Sequence, residues 1–175
     1  MLTRPPDSEI PPFFRGYVDA VPRHGGLIDT LVAQISSFPA LLSRFPEANT
    51  EVGYAPGKWS LKQSIEHVND TERIFTYRLL RIARGDQTPL PGFDQDAYVA
   101  NSHANARPWS ELIAEFTAVR AATLAFVRGL PDDAWTRTGI SSGAHSSARL
   151  FAYVIAGHVA HHAALIESSY APLLK

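Results

Sequence analysis

Apolar residues recur along this chain at helical spacing, and no segment alternates apolar and polar positions for more than a few residues, so strands are not predicted. Between Gly26 and Arg44, the residues Leu27, Leu31, Ile35, Phe38, Leu41 and Leu42 form one helical stripe. Pro39 falls inside that stripe and predicts a kink or a break near Ser37. Ser60 followed three residues later by Gln63 is the signature of a capping box. It opens a long helix whose buried face is marked by Leu61, Ile65, Val68, Phe75, Leu79 and Ile82, ending at Gly85. Pro108 suits the first turn of a third long helix, which passes through Leu112, Phe116, Val119, Leu124 and Val127 to Gly129. The last helix runs from about Ser147 to Ser169 and stops before Pro172.

The segments between are punctuated by proline and glycine. Residues 46–59 read as a loop, and residues 86–96 as a long connection of the kind that often carries function. Asp96 to about Ala104 fits a short helix, Pro131–Trp135 one further turn, and residues 138–146 a flexible loop. Residues 1–22 are rich in proline and are expected to lie as an extended arm over the surface of one domain, residues 23–175. The predicted class is all-α, a four-helix bundle with long connections.

Composition removes several kinds of chemistry. A chain of 175 residues without cysteine holds no disulfide, no cysteine nucleophile, no iron–sulfur cluster and no Cys-type zinc finger. Acidic and basic residues nearly cancel to a net charge of −1, and no run of Lys or Arg appears, so no nucleic-acid partner is expected. The N-terminus lacks the apolar core of a secretory signal, and no window reaches the roughly 20 apolar residues that span a bilayer. The expectation is a soluble cytoplasmic protein with no membrane partner. Asn69-Asp70-Thr71 matches a glycosylation sequon but falls inside a helical pattern, where it reads as chance.

Three of the seven histidines fall within five positions, in Gly157-His158-Val159-Ala160-His161-His162. His158 and His162 are one helical turn apart, on the stripe of Phe151, Ile155 and Ile166. Two imidazoles at that spacing reach one ion at the roughly 2.0–2.1 Å of a zinc–nitrogen bond. His161 points about 100° away around the helix. A third ligand has to come from a facing helix, and His67 beside the apolar face of the second long helix is the candidate. Asp70, Thr71 and His161 are candidates for the polar surroundings, with Asp70 or Thr71 placed to hold the other ring nitrogen of His67 or a bound water. Spacing alone leaves open whether His67, His158 and His162 are metal ligands or satisfied core histidines. His24, His103 and His145 read as surface residues.

Other motifs fail. There is no His-Glu-x-x-His and no Glu-x-x-His, which excludes zincins and the ferritin-like di-iron signature. Gly139-Ile140-Ser141-Ser142-Gly143 matches the nucleophile elbow in letters, yet no acid-then-histidine order follows it, so it reads as a coincidence.

Taken in order, several stretches resemble the DinB/YfiT-like superfamily of metal-binding four-helix bundles. They are Gly57-Lys58-Trp59-Ser60, Glu66-His67-Val68-Asn69-Asp70-Thr71-Glu72-Arg73, Ala83-Arg84-Gly85-Asp86, Pro89-Leu90-Pro91-Gly92-Phe93-Asp94 and Gly157–His162. The similarity extends from about Gly26 to Tyr170. The resemblance implies one divalent metal ion on His67, His158 and His162, and it suggests a homodimer. It also implies a small-molecule substrate, either in metal-dependent hydrolysis or in S-transfer from a low-molecular-weight thiol such as bacillithiol or mycothiol. A non-enzymatic metal-binding or stress-response module is the alternative. Zinc, nickel, iron and manganese all accept imidazole, so the metal is left open. The general base is left open among Asp70, Glu72 and His161.

Overall fold

The computed structural model describes residues 2–23 and 26–174. His24, expected at the surface, lies outside the described residues. Six α-helices are present among the described residues: α1 (Arg15–Ala20), α2 (Leu27–Leu42), α3 (Leu61–Ala83), α4 (Gln95–Asn101), α5 (Trp109–Arg128) and α6 (Ala148–Ser169). The four long helices form the bundle, with α3 against α6 and α5, and α2 against α5 and α6.

The capping box forms as expected: Ser60 Oγ accepts from the Gln63 backbone N–H at 3.1 Å, and Gln63 Oε1 accepts from the Ser60 N–H at 2.9 Å. All six residues of the apolar stripe of α3 are buried. Helix α2 runs through Pro39 without a break. The proline sits in the last turn, so its missing N–H removes only the bond to Ile35, and its own carbonyl accepts from Ser43 N–H at 2.9 Å.

Two expectations are corrected. The described part of the segment expected as an arm, residues 2–22, is not extended throughout: short 3₁₀ turns lead into α1, which packs on α6. Ile10, Phe14, Val18 and Val21 are buried in the core, because apolar burial outweighs the extended preference of the flanking prolines. Residues 138–146 are not a flexible loop but a hairpin of β1 (Thr138–Ser141) and β2 (Ala144–Ser147). Ser142 and Gly143 both take positive φ, 51° and 77°, as a two-residue type I′ turn requires. Ser141 is buried within β1, which removes the nucleophile-elbow match on geometry as well.

Helix α6 is 22 residues long and, by length and composition alone, apolar enough to cross a membrane. That composition reflects its packing against α1, α2 and α3, which buries two thirds of its apolar window.

The core is divided. One apolar cluster holds Leu31, Phe75, Leu124 and Phe151; the other holds Phe38, Val68, Phe116 and Val159. Between them lies a polar layer to which every bundle helix contributes. Arg120 of α5 is fully buried and donates from Nε and Nη2 to the two carboxylate oxygens of Glu72 of α3, each at 2.8 Å. Its Nη1 donates to Gln34 Oε1 of α2 at 2.6 Å, and Gln34 Nε2 donates to the Ala156 carbonyl of α6 at 2.8 Å. Removing one partner of such a pair strands the other charge in a low dielectric. Glu72→Ala is therefore expected to destabilise the protein by about 3–5 kcal/mol. Urea denaturation checks this, and a loss under about 1 kcal/mol, the range of a surface ion pair, would mean the pair is not the buried one described.

Candidate metal centre

Helices α3 and α6 carry the three histidines to the level where the two apolar clusters meet. His67, His158 and His162 are 6%, 3% and 6% exposed. One ligand-capable nitrogen from each falls within 4.8 Å of the others. His67 Nε2 and His158 Nε2 are 3.1 Å apart, near what two tetrahedral ligands at about 2.0–2.1 Å from one ion require. Thr71 Oγ1 stands 3.3 Å from His67 Nδ1, so a proton on Nδ1 leaves the Nε2 lone pair aimed at His158. His162 Nδ1 is buried with no hydrogen-bond partner among the described residues, a cost that an ion held by that nitrogen would remove. Three nitrogen donors without an acid suit a borderline divalent ion.

Of the other expected residues, only some are near. Thr71 is beside His67. Asp70 is not: it lies 3.6 Å from Arg73 and lines a different cavity with Glu66 and Tyr98. Glu72, held as a base candidate, is occupied by Arg120. His161 is exposed, edge-on to His162 with ring centroids 5.3 Å apart, at the rim of the site. His103 and His145 are exposed, as expected.

Two cavities reach the histidines from different sides. One, of about 420 Å³, is lined by His67, His161 and His162 with Trp59, Tyr54 and Tyr170. The other, of about 380 Å³, is lined by His67 and His158 with Phe14, Phe75, Phe93 and Arg78. Tyr17 and Gln95 line both. Tyr17 comes from the segment read as an arm, and its ring stands edge-on to His158 and His161, at 5.2 and 5.4 Å. Its approach depends on Gly157. A Cβ at that position would lie 1.8 Å from the Tyr17 carbonyl oxygen, so only glycine lets α1 cross α6 there.

Burial controls the charge of the cluster. It pushes the His67 pKa down to about 4, with a smaller push from His161, and the His162 pKa down to about 3, helped by His67 and His161. His158 is held well below the ordinary value, first by burial and then by the neighbouring histidines and Arg120. All three are neutral at pH 7, the form that binds metal.

The class defined by this arrangement is a helical bundle with a buried three-imidazole cluster open to two cavities. The sequence profile of the DinB superfamily matches residues 30–166, and the chain belongs to that superfamily. Among solved structures, YfiT from Bacillus subtilis is similar at a TM-score of 0.70 and 19% identity, covering 84% of this chain and 89% of that one. It is described as a probable metal-dependent hydrolase with an unusual four-helix bundle topology. A mycothiol-dependent maleylpyruvate isomerase is similar at a TM-score of 0.66 and 17% identity, over 79% of this chain and 58% of that longer one. At these identities the likeness is one of fold. No curated protein matches the chain in sequence.

Two outcomes follow from this geometry. Depressed histidine pKa values mean that the folded protein binds fewer protons than the unfolded chain below about pH 6.5. The metal-free protein is therefore expected to keep its full stability above that pH and to lose it steadily toward pH 4 and 3, as these groups charge. Melting curves from pH 8 to 4, with and without His162→Ala, check this; the variant should lose less on acidification. Gly157→Ala should destabilise by about 1–3 kcal/mol through the clash with Tyr17, although alanine in an ordinary helix site would stabilise by up to about 1 kcal/mol. A higher melting temperature in that variant would contradict the close approach.

Proposed function

We propose that His67, His158 and His162 hold one divalent metal ion and that the protein is a metal-dependent enzyme acting on a small molecule. The reaction class is hydrolysis or thiol transfer. One observation carries this reading: three buried, uncharged imidazoles, one with an unpartnered nitrogen, converge where two cavities meet. The metal dependence ascribed to YfiT and the thiol dependence of the isomerase support the two branches by analogy of fold.

When bound, a divalent ion supplies Lewis acidity and lowers the pKa of an oxygen or sulfur group brought to it. The chain's own residues do the rest. Thr71 fixes the tautomer and orientation of His67 through Nδ1. Trp59, with its ring centroid 4.9 Å from that of His67, and Tyr17 over His158 keep bulk water off the imidazoles. His161, exposed at the rim beside His162, is the group positioned to pass a proton between its ring nitrogen and solvent. With Glu72 committed to Arg120, it is also the base candidate that the cavity leaves available.

Elemental analysis and calorimetry test the reading. Wild-type protein is expected to bind one zinc, nickel, iron or manganese ion per chain. His162→Ala should weaken binding more than about 100-fold, beyond the roughly 10–100-fold typical of outer partners, and His161→Ala far less. Equal losses in the two variants would refute the ligand set. Chelation should leave the helical circular dichroism intact, because the two apolar clusters do not need the ion.

A further inference from the structure

Arg78 is a buried charge without a counter-charge among the described residues. It is 4% exposed, yet no carboxylate lies within ion-pairing distance of it among the described residues. The other deeply buried arginine, Arg120, is neutralised by Glu72. The Arg78 guanidinium is instead packed among aromatic rings, 5.7 Å from the centroids of Phe75 and Phe93 and 6.0 Å from that of Phe151. Its Nη2 donates to the Pro91 carbonyl at 2.8 Å. The remaining N–H groups have no acceptor among the described residues, and Arg78 lines the cavity beside His67 and His158. Among the described residues no acidic side chain lines that cavity. Burying a cation without a counter-charge is unfavourable, and aromatic faces offset only part of the cost.

We propose that this cavity receives a carboxylate-bearing substrate, with the carboxylate on Arg78, an apolar body against the phenylalanines, and the reacting group toward His67 and His158. The proposal rests on the reading of the histidines as the reaction centre and adds the substrate class. A single planar guanidinium matches the two oxygens of a carboxylate, while a doubly charged phosphate would call for further cations, and Arg78 is the one Lys or Arg among the described lining residues. The volume, about 380 Å³, is at the small end of the range for ligand sites, which fits a compact acid. Phe75 spans the two ends, its ring 5.7 Å from the guanidinium carbon and 6.1 Å from the His158 ring, so one small molecule can touch both.

The test uses the full chain freed of metal, so that an acid cannot bind through the ion. Calorimetric titration compares 3-phenylpropionate with its neutral amide, and both with inorganic phosphate. The acid is expected to bind at least about tenfold tighter than the amide. Arg78→Gln should abolish that preference while leaving amide binding as it was, and Arg78→Lys should restore part of it. Should Arg78→Gln fail to fold, Ser142→Asp decides: Ser142 is exposed in the β-turn at the cavity wall, where its positive φ tolerates aspartate. Its new carboxylate should lower affinity for the acid and spare the amide. Equal binding of acid and amide, a preference that survives the variants, or tighter binding of phosphate would overturn the proposal. Metal content is measured separately, so a failed metal reading and a failed anion site give different results.

Discussion

A guanidinium with no exposure to solvent has to meet its carboxylate, and the Arg120–Glu72 pair imposes that demand on the whole bundle. Apolar side chains pack in many ways; a bidentate pair, extended through Gln34 to the Ala156 carbonyl, has one arrangement. It fixes the rotation and height of α2, α3, α5 and α6 together. Glu72 directly follows Thr71, and Ala156 precedes His158 by two residues, so the layer that registers the helices also registers the imidazoles. A slip of one residue on α3 would turn His67 by about 100° and separate it from His158. The histidine cluster is thus a second consequence of the polar layer between the two apolar halves of the core.

The long elements were legible because each carries its own signal. The Ser60–Gln63 box, the α3 stripe and the i,i+4 pair on α6 depend on local spacing alone, and all three stand in the structure. His67 as the third member needed the assumption that the second and last long helices face each other, which the bundle satisfies. The polar layer was not legible: nothing near Arg120 in sequence says that its partner is Glu72, because that contact exists only once the helices pack. Helix α1 had a signal, Ile10, Phe14, Val18 and Val21 at helical spacing, but the prolines around it argued for an extended path. The hairpin turn uses Ser142-Gly143 where Asn-Gly would be the usual sign, so the strands passed as loop. Arg78 lies on the same helical row as His67, Thr71 and Phe75, and a lone cation on a half-apolar face ordinarily reads as a solvated edge.

Membership of the DinB superfamily and the geometry of the site come from independent observations, and the matched span contains all three histidines. The bundle supplies the frame, and aromatic side chains supply the walls. Tyr17 is set by a main-chain contact with Gly157, while Trp59 stands next to the Ser60 cap of α3. Aromatic rings therefore border the imidazoles on both flanks, and each is anchored by backbone structure close to it.

The connection between α3 and α4 is long, but it is not loose. The Leu90 N–H donates to the Ile140 carbonyl and the Leu90 carbonyl accepts from Ser142 N–H, both at 2.9 Å, so the segment is stitched to the hairpin by a single parallel bridge. Asp94 then caps α4 by accepting from the Asp96 and Ala97 N–H groups. Phe93 and Gln95, which face the histidines, are carried between these two anchors. The conformational entropy of this wall is surrendered when the protein folds, not when a ligand arrives. An incoming molecule meets a surface already in shape, and more of its contact energy remains for discrimination between molecules of similar size.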